Sequence, residues 1–275
     1  MIGDYDQPYP LLESLSQTIL FADKLLEEAA NKGGYTDTEV ITFSLFRQLI
    51  EQVDGIFIGV DHNNYDLART SLRNAFETNL AIEYIYKDPA LLNDRALAYK
   101  VGSKYQNIAW FDMAIQEKIL EPEVQEAELI SKKSALETEL NLPALSRIST
   151  EWIRTKAGLR RDGTPKWYSL YNGPSSIYAL AKHLDMESEY KRIYGSLSAT
   201  IHGTTALDRV ALESGTGKVL IWPLRDEERE KAETPIYLGR AFLLNMIGIL
   251  VRNYEPTKAI EFGPFLEEHI EPTRA

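Results

Sequence analysis

The chain has 275 residues, of which 44% are apolar, so it is long enough for one large globular domain or two small ones. It contains no cysteine, which excludes disulfides, thiolate metal sites and a cysteine nucleophile. Its formal net charge of −11 opposes broad contact with nucleic acid, because non-specific binding depends on cations that meet phosphates.

The chain start and the apolar runs predict a compartment. The first residues, MIGDYDQPYP, lack a basic stretch followed by an apolar run, so we expect no secretory signal. No run of about 18 apolar residues occurs, so we expect no membrane span and no membrane partner. A reducing cytoplasm is the simplest location for a chain without cysteine.

Apolar residues recur at helical spacing through most of the chain. We expect helices, in chain order, at about 11–29, 38–59, 66–86, 89–120, 123–140, around Trp152, 175–185, 187–202 and 234–254. The charged helix at 123–140 has few large apolar side chains, so we expect it at the surface or paired with another chain. The loop at 158–174 offers a subdivision, but we favour one helical domain over residues 1–275. The tail after Tyr254 is expected to be irregular and docked by its phenylalanines.

Residues 208–222 depart from the helical period. Apolar and polar residues alternate on both sides of Ser-Gly-Thr-Gly, which predicts a small β-hairpin. The segment from Gly215 to Lys218 also resembles part of a phosphate-binding loop. That loop requires Ser or Thr after the lysine, and Val219 stands there, so we expect a turn instead. The predicted fold class is therefore mainly α, a multi-helix bundle with a small β-hairpin.

Several common catalytic motifs are missing from the sequence. The HExxH zinc pattern, the Glu-x-x-His di-iron pattern and the Gly-x-Ser-x-Gly nucleophile elbow are all absent. We therefore expect no metal ion and no cofactor. A basic run from Arg154 to Lys166 is interpreted either as a solvated loop or as a local contact for nucleic acid, and the solvated loop is favoured.

The third predicted helix carries a charged pair at the border of its apolar face. Arg73 and Glu77 are one helical turn apart, and Leu80 and Tyr84 continue the same stripe. If the pair is buried, it costs several kcal/mol unless other polar groups satisfy it. If the pair lies at the surface, it contributes about 0.3–0.5 kcal/mol. Both interpretations stay open on sequence alone.

The stretch YGSLSATIHGTT ends a predicted helix with a histidine. One face of this helix carries, one turn apart, Tyr190, Tyr194, Ser198 and His202. A protonated histidine in the last turn is favoured by the helix dipole, so a capping or core role is enough to explain His202. The functional interpretation instead places Ser198 and His202 against the stripe of Arg73.

Histidine, arginine and tyrosine together suit general acid–base chemistry on a charged substrate. In this hypothesis His202 is the general acid or base, Arg73 holds a phosphate and Glu77 orients the histidine. A nucleophilic Ser198 would need Glu77 as its orienting acid. The predicted substrate-binding residues are Tyr168, Tyr190, Tyr194, Ser198 and Lys166.

Five stretches between about residues 40 and 205 carry a family resemblance. They are Asp54-Gly55-Ile56, Arg73-x-x-x-Glu77, Arg95 to Tyr99, Lys166-Trp167-Tyr168 and, most specifically, Tyr190-x-x-x-Tyr194-x-x-x-Ser198-x-x-x-His202-Gly203. In these stretches the chain resembles an uncharacterised bacterial family, domain of unknown function 5677. The resemblance implies an α-helical domain and no agreed activity.

The chain is more distantly similar to the nucleotide-binding HEPN group, which includes metal-independent ribonucleases of toxin and phage-defence systems. Those proteins carry an arginine, four to six residues and then a histidine on one helix. Here the last arginine before His202 is Arg192, with nine residues between them. A ribonuclease would therefore need Arg73, from another helix. This resemblance implies RNA or a nucleotide as the partner.

Two hypotheses follow for the function. In the first, the protein is a metal-independent phosphodiesterase or ribonuclease-like factor of bacterial defence. In the second, it is a non-catalytic helical binding or scaffold module with a protein partner, a homodimer whose Arg/Glu/His cluster is structural. The acidic balance and the charged helix at 123–140 favour the second hypothesis.

Overall fold

A computed structural model describes residues 9–117, 123–160, 163–201, 207, 210–222, 225 and 230–270. Within these ranges the chain is mainly α-helical with one antiparallel β-hairpin, which confirms the predicted fold class. The α-helices are α1 Pro10–Ala30, α2 Asp37–Asp61, α3 Tyr65–Tyr86, α4 Leu92–Gln116, α5 Glu123–Leu140, α6 Pro143–Ala157, α7 Ile177–His183, α8 Glu187–Ile201, α9 Glu230–Asn253 and α10 Ala259–Ile270. Two 3-10 helices, Trp167–Asn172 and Pro256–Lys258, and two strands, β1 Val210–Leu212 and β2 Val219–Ile221, complete the described elements.

The β-hairpin lies where the sequence predicts it. Val210 is opposite Ile221 and Leu212 is opposite Val219, and the turn between the strands contains the Gly-Thr-Gly segment. The turn interpretation of this segment is therefore confirmed in place of a phosphate-binding loop.

The C-terminal tail corrects an expectation, because α10 is helical where an irregular segment was predicted. Pro264 lies inside α10, where it removes one backbone hydrogen bond, and yet the helix continues to Ile270. The expected docking by phenylalanines is present: Phe21 of α1 stacks on Phe265 at 4.5 Å between ring centroids. This packing stabilises the helix beyond what its local sequence indicates.

The chain divides into two compact units, each built from more than one segment. Unit 1 comprises 1–34, 43–82 and 186–275, and unit 2 comprises 35–42 and 83–185. The predicted subdivision at 158–174 falls inside unit 2. The expectation of a single helical domain stays a prediction.

Unit 1 has a core of apolar side chains from α1, α2, α3 and α9. The fully buried members include Leu15, Phe46, Leu49, Ile56, Phe76, Leu80, Leu243 and Met246. Arg240 of α9 is also buried, and its Nε donates a hydrogen bond to Thr18 Oγ1 of α1 at 3.2 Å. A buried cation requires such a partner, because desolvation otherwise opposes its charge.

Among the described residues, α9 is long and apolar enough to cross a membrane, and 61% of its most apolar window is buried inside the protein. Core helices of soluble proteins share these properties, so the length and composition of α9 are weak evidence for a span. The absence of a membrane span and the cytoplasmic location stay predictions.

Unit 2 is built on α4, which packs against α5, α6 and the 3-10 helix Trp167–Asn172. Trp152 of α6 is 2% exposed and stacks on Tyr105 of α4, with ring centroids 5.1 Å apart. The side chain of Lys104 forms an ion pair with Glu139 and so ties α4 to α5. Most described side chains of α5 are exposed, as its charged sequence predicts. Its pairing with another chain stays a prediction.

Helices α2 and α3 approach closely in unit 1 because a glycine stands at the contact. A Cβ atom on Gly59 would lie 2.7 Å from the backbone nitrogen of Ala68. Backbone atoms cannot move aside as a flexible side chain can, so this contact requires glycine. By contrast, a Cβ on Gly248 of α9 would meet no atom within 4 Å.

We therefore expect Gly59→Ala to lower the free energy of unfolding by about 1–3 kcal/mol, because the helices must separate. Gly248→Ala is the matched control and should leave stability unchanged or raise it by up to about 1 kcal/mol, because alanine favours helix. Urea unfolding followed by circular dichroism measures both. Equal effects of the two substitutions would contradict the close approach of α2 and α3.

Candidate functional site

The predicted cluster on α3 and α8 is assembled in unit 1. The Nε of Arg73 lies 3.5 Å from Glu77 Oε1, and the Arg73 guanidinium lies 4.5 Å from the centroid of the Tyr194 ring. The Tyr194 hydroxyl donates a hydrogen bond to Glu77 Oε1. Tyr190 stacks on Tyr194 with ring centroids 4.5 Å apart. The structure therefore brings together four of the predicted site residues, which we call the Arg73 cluster.

Within the Arg73 cluster the two charges pair with each other, and the tyrosine hydroxyl bonds to the same carboxylate. Burial and the hydrogen bond to Glu77 raise the pKa of the Tyr194 hydroxyl well above its ordinary value. The phenol is therefore a proton donor at neutral pH and not a base. Phe76 meets the edge of the Tyr194 ring, with centroids 6.4 Å apart, which joins the cluster to the apolar core. Such an arrangement fastens α8 to α3.

The remaining predicted site residues are placed differently. His202 lies outside the described residues, and of Ser198 only its position in α8 is described. Tyr168 and Lys166 belong to unit 2. Tyr168 is 8% exposed, and its backbone carbonyl accepts a hydrogen bond from the Tyr84 hydroxyl at 3.3 Å. Lys166 is exposed and precedes the 3-10 helix. The catalytic and substrate-binding roles of these residues stay predictions.

Tyr194→Phe tests the structural contribution of the Arg73 cluster. We expect it to lower the free energy of unfolding by about 1 kcal/mol, because Glu77 loses a hydrogen bond while the ring keeps its contacts with Arg73 and Phe76. Tyr237→Phe on α9 is the control, since Tyr237 is 48% exposed, and should change stability by less than about 0.5 kcal/mol. Thermal unfolding gives both values. An unchanged stability for Tyr194→Phe would show that the hydroxyl does not help to hold α8 against α3.

A second site, which the sequence did not reveal, is a cavity of ≈ 640 Å³ within unit 2. Its lining combines aromatic, cationic and apolar side chains. The lining residues are Tyr84, Leu91, Asp94, Arg95, Ala98, Arg147, Trp167, Leu170, Tyr171, Asn172, Gly173, Pro174, Ala179 and His183. Ligand sites are commonly concave, mostly apolar and supplied with a few polar groups, and this cavity fits that description.

Arg95 is the cation in this cavity whose charge has no acidic partner. Its guanidinium lies 4.1 Å from the centroid of the Tyr84 ring, and its Nη1 donates to the Tyr84 carbonyl at 2.6 Å. Among the described residues no carboxylate lies within ion-pairing distance of Arg95. Arg147, by contrast, forms an ion pair with Asp94. The cavity therefore carries one uncompensated positive charge on a partly buried aromatic wall.

His183 lines the same cavity, close to two further cations. Its ring lies 5.7 Å from the Tyr84 ring, in an edge-to-face arrangement. Burial, followed by the charges of Lys87 and Arg95 and opposed by the charge of Asp185, lowers the pKa of the imidazole below its ordinary value of 6.5. Neighbouring cations oppose a further positive charge, and they favour an anion in the same place. The cavity is therefore suited to a negatively charged ligand.

One wall of the cavity is the segment Leu170–Gly173, which we call the strap. Tyr171 and Asn172 have φ values of 55° and 63°, in the left-handed region. For a residue other than glycine this conformation costs about 1–2 kcal/mol, with asparagine the more tolerant. A Cβ atom on Gly173 would lie 2.1 Å from the Tyr168 carbonyl oxygen, so the strap can only end in glycine here. Strained backbone of this kind is concentrated at functional sites.

The signals for the cavity were present in the sequence but scattered. Its residues come from the end of α3, the start of α4 and the residue before it, α6, the 3-10 helix and the two residues after it, and α7. Helical periodicity groups residues on one helix and gives no information on such a convergence. Two of the stretches that carry the family resemblance contain Arg95 and Trp167. These stretches were the signal in the sequence that could have indicated the cavity.

The fold and the cavity define a mainly α-helical protein with a ligand-sized, positively charged site. The chain matches the sequence model of a family described as "Family of unknown function (DUF5677)" over residues 39–218. The chain belongs to this family. It matches no curated protein and no solved structure at a significant level. The matched region contains every residue that lines the cavity and all of the Arg73 cluster.

Proposed function

We propose that the protein is a binding protein for a small organic anion with a planar ring, and that the cavity of unit 2 is its binding site. The observation that carries this proposal is the uncompensated guanidinium of Arg95 on the face of Tyr84. A cation without an acidic partner, in a site partly withdrawn from water, is stabilised by an anionic ligand.

The size and the lining of the cavity support a ligand with a ring. A volume of ≈ 640 Å³ lies within the range of about 300–1,000 Å³ that small-molecule sites occupy. Trp167 and Tyr171 offer aromatic surface, and Leu91, Ala98 and Pro174 are apolar. An aromatic ring buries apolar area against such walls and gains from stacking. A mononucleotide and an aromatic carboxylate both combine a ring with one acidic group.

The contacts within the Arg73 cluster favour a structural role for its residues over a catalytic one. Its arginine is neutralised by Glu77, and its tyrosine hydroxyl is committed to the same carboxylate. A phosphate-holding arginine would have to leave this arrangement before it could act. The cluster is therefore accounted for by the fastening of α8 to α3.

Calorimetric titration with adenosine 5′-monophosphate, adenosine and benzoate tests the proposal. We expect binding of at least one of the two acids, and at least tenfold weaker binding in Arg95→Gln, because a charge-assisted hydrogen bond contributes about 1.5–3 kcal/mol. Arg95→Lys keeps the charge but loses the planar guanidinium, so its affinity should lie between those of the wild type and Arg95→Gln. Adenosine, which lacks the acid, should bind at least tenfold more weakly than its monophosphate.

Arg252→Gln on α9 is the control for a lost surface arginine, since Arg252 is exposed in unit 1, and it should bind within twofold of wild type. Circular dichroism checks that each variant is folded. If the wild type binds neither acid, or if Arg95→Gln binds as well as Arg252→Gln, the proposal is wrong.

A second candidate function is the metal-independent phosphodiesterase or HEPN-like ribonuclease of bacterial defence. The observation that favours it is solvent access: the side chains of Arg73 and Glu77 are 26% and 45% exposed, so a phosphate can reach them. Incubation of labelled RNA with the protein and a chelator tests this candidate. Cleavage that is lost in Arg73→Gln and in His202→Ala would support it, and absence of cleavage by the wild type would exclude it for that substrate.

A further inference from the structure

The strap needs a support, because its left-handed residues do not hold themselves in place. Tyr171 and Asn172 both line the cavity, and their positive φ values are unfavourable for residues with a side chain. A free segment would relax to extended or right-handed backbone, and the Tyr171 ring would then leave the wall. The structure must therefore supply contacts that keep this conformation.

Glu151 of α6 supplies the contact to the strained backbone. Its Oε1 accepts a hydrogen bond from the backbone N–H of Tyr171 at 2.9 Å. Glu151 is only 7% exposed and is not among the residues that line the cavity. Glu151 therefore does not contact a ligand in the cavity directly, and its hydrogen bond to Tyr171 connects it to the cavity through the strap.

The carboxylate of Glu151 is itself held in a fixed position. Arg154, one turn further along α6, donates from Nε at 2.6 Å and from Nη2 at 2.7 Å. Thr155 donates from its hydroxyl at 3.3 Å. The bond from Arg154, with a smaller contribution from the Tyr171 amide, lowers the pKa of Glu151 against the opposing effect of burial. An ionised acceptor makes the stronger hydrogen bond to an N–H donor.

The same geometry explains part of the basic run between Arg154 and Lys166. The side chain of Arg154 is 66% exposed, but its Nε and Nη2 both donate hydrogen bonds to the carboxylate of Glu151. Its charge is thus used within the protein and contributes little to any contact with nucleic acid. The first cation of the run fixes Glu151, and Glu151 in turn fixes the strap.

We infer that Glu151 is a positioning residue for the binding site: through the Tyr171 amide it holds the strap in its left-handed conformation and so sets the affinity for the ligand without touching it. This inference rests on the proposed function of the cavity. It assigns a role in ligand binding to a buried carboxylate outside the cavity, and it makes the strap the element on which affinity depends.

Two readouts on the same variants test the inference. Hydrogen exchange of the Tyr171 amide measures the support of the strap without any ligand. Calorimetric titration with adenosine 5′-monophosphate and with benzoate measures the consequence for binding. The variants are Glu151→Gln and Arg154→Gln, of which the second leaves the carboxylate in place and serves if the first fails to fold. Glu128→Gln on α5 is the control, because Glu128 is an exposed carboxylate paired with Lys132.

For Glu151→Gln we expect exchange of the Tyr171 amide to be at least tenfold faster and the affinity to fall at least tenfold. Arg154→Gln should change both quantities by about two- to fivefold, since the charge-assisted bond weakens but remains. Glu128→Gln should change neither. Amides in the middle of α4 report global opening and should be unchanged in all variants, which separates loosening of the strap from loss of stability.

Each contrary result has a distinct meaning. Unchanged exchange at Tyr171 in Glu151→Gln would overturn the support of the strap. Faster exchange with unchanged affinity would overturn the link between the strap and the ligand. Failure of the wild type to bind either acid would refute the proposed function and the binding role of Glu151 with it, while the exchange data would still decide whether Glu151 holds the strap.

Discussion

The contact between Arg95 and Tyr84 is the interaction on which the candidate site depends. Tyr84 stands in the last turn of α3, where backbone carbonyls have no partner within the helix. Arg95 donates to that carbonyl and places a positive charge where the helix dipole is negative, which is favourable. The same residue remains without an acidic partner in the described structure. One side chain thus caps a helix and provides the charge of the cavity.

Tyr84 also contacts the residues at and before the strap. Its hydroxyl donates to the carbonyl of Tyr168, and that carbonyl lies so close to Gly173 that no side chain fits there. Its ring also meets Trp167 edge to face, with centroids 5.7 Å apart. The end of α3, the start of α4 and the strap are therefore joined through one tyrosine. A change at Tyr84 would disturb the shape and the charge of the cavity together.

Arg73 and Arg95 differ in whether a carboxylate pairs with the arginine. Arg73 has a carboxylate and an aromatic ring as partners, and the group that would complete a catalytic site, His202, lies outside the described residues. Arg95 has an aromatic ring and a carbonyl, neither of which carries a formal negative charge. On these electrostatic grounds we propose a structural contribution for the first cluster and ligand recognition for the second.

Local sequence patterns predicted the helices and the residues that share a face of α3 and of α8, because helical spacing is a local property. The meeting of these two faces belonged to the functional interpretation and does not follow from the spacing. The local patterns failed at α10, where stacking of Phe265 on Phe21 outweighs a glycine and a proline. They also missed the cavity. Its chemistry depends on Arg95 lying over Tyr84 and on the Tyr171 amide reaching Glu151, and such contacts follow from the packing of several elements and not from the period of any one.

The most direct test of the central claim is to locate a small anion in crystals of the protein. Crystals soaked in 8-bromoadenosine 5′-monophosphate or in 4-bromobenzoate show the bromine by its anomalous scattering. We predict a bromine peak inside the cavity of unit 2, with the phosphate or carboxylate within hydrogen-bond distance of the Arg95 guanidinium. A cavity without bromine for both compounds, or a peak at Arg73 instead, would contradict the assignment of the cavity as the binding site.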